Sequence, residues 1–188
     1  MQSACNKRAD SGLSQSCKEI WLFTDSRGFG GIESHILQLS VALQQQAIPV
    51  RVLLWKHYGQ HPLEKPLAKR GIPLEYLPGT LPSLLSRLNR KPYLLHTHGY
   101  KAGIVGRAAA LIQRIPVISS YHAGEPGSGK LRIYNWIDRK TSRLANVIAV
   151  SKQIAAKLPG NPKVVDNFVE LPELKQCHHF LQDALSSA

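Results

Sequence analysis

The chain has 188 residues, 43% of them hydrophobic. That is room for one domain with a full core, and it excludes both two large domains and a disordered polar chain. The 24 Lys and Arg against 12 Asp and Glu give a formal charge of +12, which draws the protein toward nucleic acid, an anionic membrane face or a phosphorylated substrate.

The basic residues are scattered, as at Lys65, Lys69 and Arg70, at Arg87, Arg90 and Lys91, and at Arg139, Lys140 and Arg143. There is no basic run interleaved with aromatics, no helix-turn-helix and no zinc finger, so nucleic acid is not expected as a partner. No apolar stretch approaches the roughly 20 residues of a membrane-spanning helix. Met1 to Lys18 is polar, carries both signs of charge and lacks the apolar core of a signal peptide. Residues 1–18 therefore read as a disordered lead, and the protein as cytoplasmic. Cys5, Cys17 and Cys177 are odd in number, with neither a CxxC pair nor a disulfide framework, which predicts free thiols.

From Glu19 onward, short apolar runs alternate with amphipathic stretches. Glu19 to Thr24 reads as a strand. Ile32, Ile36, Leu39 and Leu43 then fall at helical spacing, on a helix of about 14 residues. Pro49 to Trp55 is a second strand and Leu63 to Lys69 a short helix ended by Gly71. Leu74 to Leu77 is a strand before a turn at Pro78-Gly79, followed by a helix from Leu81 to Leu88. A strand over Tyr93 to Thr97 precedes an alanine-rich helix from Ala102 to Gln113. Ile115 to Ser120 is a strand. A long helix over Gly129 to Leu144 carries Leu131, Tyr134, Ile137 and Leu144 on one side. Asn146 to Val150 is a strand, Lys152 to Leu158 a helix, and Lys163 to Asp166 the last strand. Beyond it, Leu174, Cys177, Leu181 and Leu185 fall at helical spacing in a tail over 171–188.

This alternation predicts an α/β fold: a Rossmann-like, three-layer α/β/α domain over 19–170, with a parallel sheet of about seven strands. Ligands of such sheets sit beyond the carboxyl ends of the strands, and the polar segments of interest fall there.

The first segment is Thr24-Asp-Ser-Arg-Gly-Phe-Gly-Gly-Ile-Glu33. Gly28, Gly30 and Gly31 permit close backbone approach, and amides at a helix start suit a nucleotide phosphate. A plain glycine-rich turn is the other reading, since neither GxGxxG nor GxxxxGK[ST] is present. Glu33 falls in the first helical turn, where a carboxylate caps as readily as it binds. The second segment is His96-Thr-His-Gly-Tyr100. Strand parity puts His96 and His98 on one sheet face. No nearby Cys, Asp or Glu completes a tight local cluster, so no metal is expected. His96, His98, Gly99 and Tyr100 are read as lining a crevice. The third segment is Ser119-Ser-Tyr-His-Ala-Gly-Glu125. His122, at a strand end, accepts a proton from an alcohol or holds developing charge by hydrogen bonding, with Glu125 or Asp25 to orient it. Ser151, after the next strand, caps a short helix and also faces the crevice.

These segments, in this order, resemble the large retaining glycosyltransferase family of GT-B fold, family 4-like (group 1). Gly30-Gly-Ile-Glu-Ser-His35 is similar to its GG-x-E loop and helix. His96-Thr-His-Gly99 is similar to its H-x-H segment and Tyr121-His-Ala-Gly124 to its x-H-G loop. Asn146-Val-Ile-Ala-Val-Ser151 and Val164-Val-Asp-Asn-Phe-Val169 resemble its D-x-I-I-x-V-S strand and V-I-P-N-G-V-D exit. The likeness departs at Asn146, where the family has aspartate, and at Phe168, where it has glycine.

The resemblance implies half of a GT-B fold: the N-terminal, acceptor-side domain, with the C-terminal donor-binding domain supplied separately. It implies retaining transfer of a hexose from a UDP- or GDP-sugar to a lipid, lipopolysaccharide or other glycan acceptor, without a tightly bound cofactor or a metal. Gly30 and Gly31, with Ser151, would lie toward the donor, and His122 would contact the transferred sugar. Glu33, His96, His98, Gly99, Tyr100 and Glu125 would serve the acceptor. A place on the inner membrane face suits the positive charge, since each Lys or Arg near an anionic surface adds about 1 kcal/mol. An open cleft face would expose an apolar patch near the strand ends and tail, inviting self-association.

Overall fold

The computed structural model describes residues 18–122 and 129–165. The lead up to Cys17, the loop holding Glu125, and Asn167 with the tail expected over 171–188 lie outside the described residues. In chain order the elements are β1 (Ile20–Thr24), α1 (Gly31–Gln45), β2 (Val50–Leu54), α2 (Glu64–Ala68), β3 (Leu74–Tyr76), α3 (Leu81–Leu88) and β4 (Leu94–His98). Then come α4 (Tyr100–Gln113), β5 (Val117–Tyr121), α5 (Lys130–Thr141), β6 (Asn146–Ala149), α6 (Lys152–Ala155) and β7 (Lys163–Val164).

The seven strands form one sheet in the order β3-β2-β1-β4-β5-β6-β7, with every neighbouring pair parallel. The sheet is covered on both faces, which is why its central strands read as nearly unbroken apolar runs. Ile20 and Leu22 of β1 point into a core with Ile36, Leu39 and Leu43 of α1 and Leu67 of α2. Trp21 and Phe23 point the other way, onto Leu84 and Leu88 of α3 and Ala102, Ala109 and Ala110 of α4. The chain winds outward from β1 to β3, then returns to β1's other side with β4. Strand order reverses there, which opens a crevice at the carboxyl ends of β1 and β4.

The alanines of α4 have a packing reason. A Cβ placed on Gly106 would come within 2.6 Å of the Thr97 methyl and 3.2 Å of the Phe23 ring. Only small residues let this helix approach the sheet so closely.

Some boundaries move. β4 runs on to His98, so both histidines of the pair are within the strand, and α4 starts at Tyr100. β5 begins at Val117, although the Pro116 carbonyl still accepts from the Leu95 amide at 3.0 Å. The long fifth helix tightens into a 3₁₀ turn over Ser142–Leu144.

That helix also faces differently from the expected apolar side. Leu131, Tyr134 and Leu144 are exposed, while Asp138 and Ser142 are buried. The cause is Arg107 on α4, which is 0% exposed. Its guanidinium donates to Asp138 Oδ1 at 2.6 Å, to the Asp138 carbonyl at 2.9 Å and to Thr141 Oγ1 at 2.7 Å. A buried guanidinium needs its charge and donors met, so α5 turns its polar stripe inward and leaves Ile133, Tyr134 and Trp136 outside.

Candidate functional site

Parity along parallel strands builds the site. Leu94, His96 and His98 of β4 share a face with Ile118 and Ser120 of β5, in the register His96↔Ile118 and His98↔Ser120. This is the face that α1 covers. The His96 ring nitrogen Nε2 meets Ser120 Oγ at 2.7 Å. His122, one step past β5, continues that face, and its Nε2 lies 3.3 Å from His98 Nδ1. His35 of α1 comes down on the pair, its ring centroid 4.8 Å from that of His122 and 5.5 Å from that of His98. His96 stacks beneath His98 at 4.2 Å. One ring nitrogen each from His35, His98 and His122 lie within 4.8 Å of one another.

All four imidazoles are held neutral. Burial pushes His35 down to about 4 and His122 down to about 3. Burial, reinforced by the neighbouring rings, pushes His96 and His98 well below the ordinary histidine range. The physical cause is the loss of water around the charged form. His98 is 0% exposed, and its Nε2 and the Nδ1 of His96 are buried without a hydrogen-bond partner.

Gly99 has a conformational reason to stand between β4 and α4. Its φ of 83° lies in the left-handed region, where a side chain is strained. It turns the chain so that Tyr100 opens α4 at the crevice rim, exposed and 5.8 Å ring to ring from Tyr134. Thr24 Oγ1 at the end of β1 donates to the His98 carbonyl at 3.1 Å, which locks the two strand ends together.

In the glycine loop the backbone is ordinary, and Gly28 and Gly31 are not crowded by the chain's own atoms. Gly30 is extended, at φ −152° and ψ −158°, and a Cβ on Gly28 or Gly31 would meet nothing. Glu33 is buried, and its carboxylate accepts from the Gly30 amide at 2.7 Å. It caps α1 from within, where a negative charge is favoured.

Asp25 does not orient His122. It is engaged with Lys101 at 2.7 Å, and the neighbour of His122 is His98. Ser151 caps α6, accepting from the Ile154 amide at 3.2 Å. It sits at the end of β6, two strands from β4, roughly 10 Å away at the usual strand spacing. His61, which no motif singled out, is buried beside the glycine loop, with Nε2 3.2 Å from Ser26 Oγ.

Among the described residues no helix is long and apolar enough to cross a membrane. On the far side of α5, Arg132, Trp136, Arg139, Lys140 and Arg143 join Lys157 around a cavity of ≈ 490 Å³.

Residues 29–170 match the family model of Glycosyltransferase Family 4. No curated protein matches the chain in sequence. Among solved structures, HepE of Anabaena in complex with UDP superposes with a TM-score of 0.69 at 18% identity, over 88% of this chain and 50% of that one. MurG of Acinetobacter baumannii gives 0.59 at 19% identity, over 79% and 45%. The lipopolysaccharide outer core galactosyltransferase WaaB gives 0.58 at 11% identity, over 74% and 41%. At these identities the likeness is one of fold, half of a GT-B architecture, and the chain spans about half the length of HepE.

Proposed function

The chain belongs to glycosyltransferase family 4, and from that premise we propose that it forms the acceptor-side half of a nucleotide-sugar-dependent transferase. A hexose passes from a UDP- or GDP-sugar, with retention, to a lipid, lipopolysaccharide or other glycan acceptor. The donor-binding half comes from a further domain or a separate chain. The observation that carries this reading is the convergence of His98, His122 and the Gly30–Glu33 loop at the carboxyl ends of β1, β4 and β5. HepE, whose fold this chain shares over half its length, crystallises in complex with UDP, and that supports the donor class.

In this reading His122 contacts the transferred sugar by hydrogen bonding. Its depressed pKa of about 3 makes it a weak base near pH 7, which favours holding a hydroxyl over removing its proton. A neutral ring also spares the positive charge that develops on the sugar during transfer the repulsion of an imidazolium. The Glu33 carboxylate takes the Gly30 amide, so donor phosphates use the other amides at the start of α1. Donor phosphates approach the neighbouring Gly31. Transfer itself uses no metal. Tyr100, Gly99 and His96 shape the acceptor side; Glu125 belongs with them as an expectation from the sequence.

A second role, binding to the anionic inner face of a membrane, is favoured by the cationic surface of α5 and α6. From residue 129 to 165 the one acidic residue is Asp138, and Arg107 pairs with it. Exposed Ile133 and Trp136 lie among the cations, the pattern of an interfacial helix.

The test mixes this chain with a candidate donor half, radiolabelled nucleotide-sugars and a lipid extract, beside His122→Ala. Labelled lipid that requires both halves and is lost in the variant supports the transferase reading. Saturable acceptor binding without product under any pairing sinks it in favour of a non-catalytic module.

A further inference from the structure

We propose that His35, His98 and His122 form a binding site for one divalent transition-metal ion of the zinc class, with an open fourth position. The three side chains come from α1, the end of β4 and the end of β5, so the sheet and its covering helix fix them independently of one another. Each offers a ring nitrogen, and the three nitrogens lie within 4.8 Å of each other. Tetrahedral zinc with Zn–N near 2.1 Å sets ligand nitrogens about 3.4 Å apart. His98 Nδ1 and His122 Nε2 already stand at 3.3 Å. Bringing in the His35 nitrogen closes its gaps by at most about 1.4 Å, within reach of side-chain rotation.

The facing nitrogens of His98 and His122 are 3.3 Å apart, a spacing that a shared ion spans as well as a hydrogen bond does. The ligand set is three neutral imidazoles without a carboxylate. That composition suits zinc, copper or nickel and disfavours magnesium and calcium, which take oxygen ligands. Water, hydroxide or an anionic group fills the fourth position.

An ion on His122 Nε2 leaves that ring only its Nδ1–H for a sugar hydroxyl, so metal occupancy changes how His122 engages the sugar. Metal binding itself does not depend on the transferase reading and is measured without substrate.

The experiment uses the full chain, stripped with chelator and titrated with zinc alone by calorimetry, then with cobalt to read the visible absorption of a four-coordinate site. The expected result is one ion per chain, with affinity at least tenfold weaker in His35→Ala and in His122→Ala. A triple tail variant, Cys177→Ser with His178→Ala and His179→Ala, is expected to bind as the parent does. Should either single variant fail to fold, imidazole NMR of the unmutated chain during the zinc titration decides, by shifting the His35, His98 and His122 resonances first. No stoichiometric binding, binding unchanged in both single variants, binding lost with the tail residues, or shifts confined to other histidines would each overturn the site.

Discussion

His98 Nδ1 and His122 Nε2 face each other at 3.3 Å, across two strands whose carboxyl ends border the crevice beside β1. The contact joins a strand residue that no solvent reaches to a half-buried one at the edge of an open cleft. Around it, His35 and His96 complete a group of four neutral rings, and that neutrality has a measurable consequence.

Acid should unfold the metal-free protein early. In the folded state His35 titrates at about 4 and His122 at about 3, with His96 and His98 also depressed, against 6.5 in the unfolded chain. The unfolded state therefore binds more protons below pH 6.5. Stability from these groups is complete above that value and is lost as pH falls toward 4 and below. Each fully titrating histidine contributes up to about 1.4 kcal/mol per pH unit in that window. Urea midpoints measured with chelator present at pH 7.5, 6 and 5 should fall steadily. A flat profile would show that the rings are solvated.

Removing Arg107 should cost about 3–5 kcal/mol, because it strands a buried carboxylate. Burial already raises the Asp138 pKa despite the Arg107 charge beside it, so desolvation outweighs the pairing in setting that value. Arg107→Met should be strongly destabilised in urea, and adding Asp138→Leu should recover much of the loss. Equal midpoints for the single and double variants would count against an ionic origin.

Gly106→Ala should destabilise by about 1–3 kcal/mol through overpacking. The new methyl would lie 2.6 Å from the Thr97 methyl. Thr97→Ser removes that methyl and keeps the hydroxyl that meets Ser119 Oγ at 2.7 Å. In a thermal melt the double variant should lie above Gly106→Ala. Additive losses would place the crowding elsewhere.

Gly99→Ala tests strain without a clash. The nearest atom to an added Cβ is Ile32 Cδ1 at 3.7 Å, an ordinary contact, yet φ is +83°. The expected loss is about 1–3 kcal/mol, read by chemical denaturation, with Gly99→Asn losing less because asparagine tolerates positive φ better. Equal stability of all three forms would mean that the turn relaxes freely.

The alternation of Ile20–Thr24, Val50–Leu54 and the later apolar runs with amphipathic stretches was enough to place a parallel sheet covered on both faces. Hydrophobic period is a local property of the chain, so it can be read without a partner. The same holds for the shared face of His96 and His98 and for the Ser151 cap. Which distant residues meet is different, because it depends on strand order. His35 joins His98 and His122 only because β4 lies beside β1 and α1 packs over both. Asp25 pairs with Lys101 rather than His122 for the same reason. The polar face of α5 is buried because Arg107 on another helix needs a counter-ion, a requirement invisible in the periodicity of α5 itself. Local pattern thus sufficed for the elements and the family, and for the faces of the strands, but not for the buried face of α5. The partners came from the assembled fold, since contact across the sheet is set by topology and close packing, which no local pattern encodes.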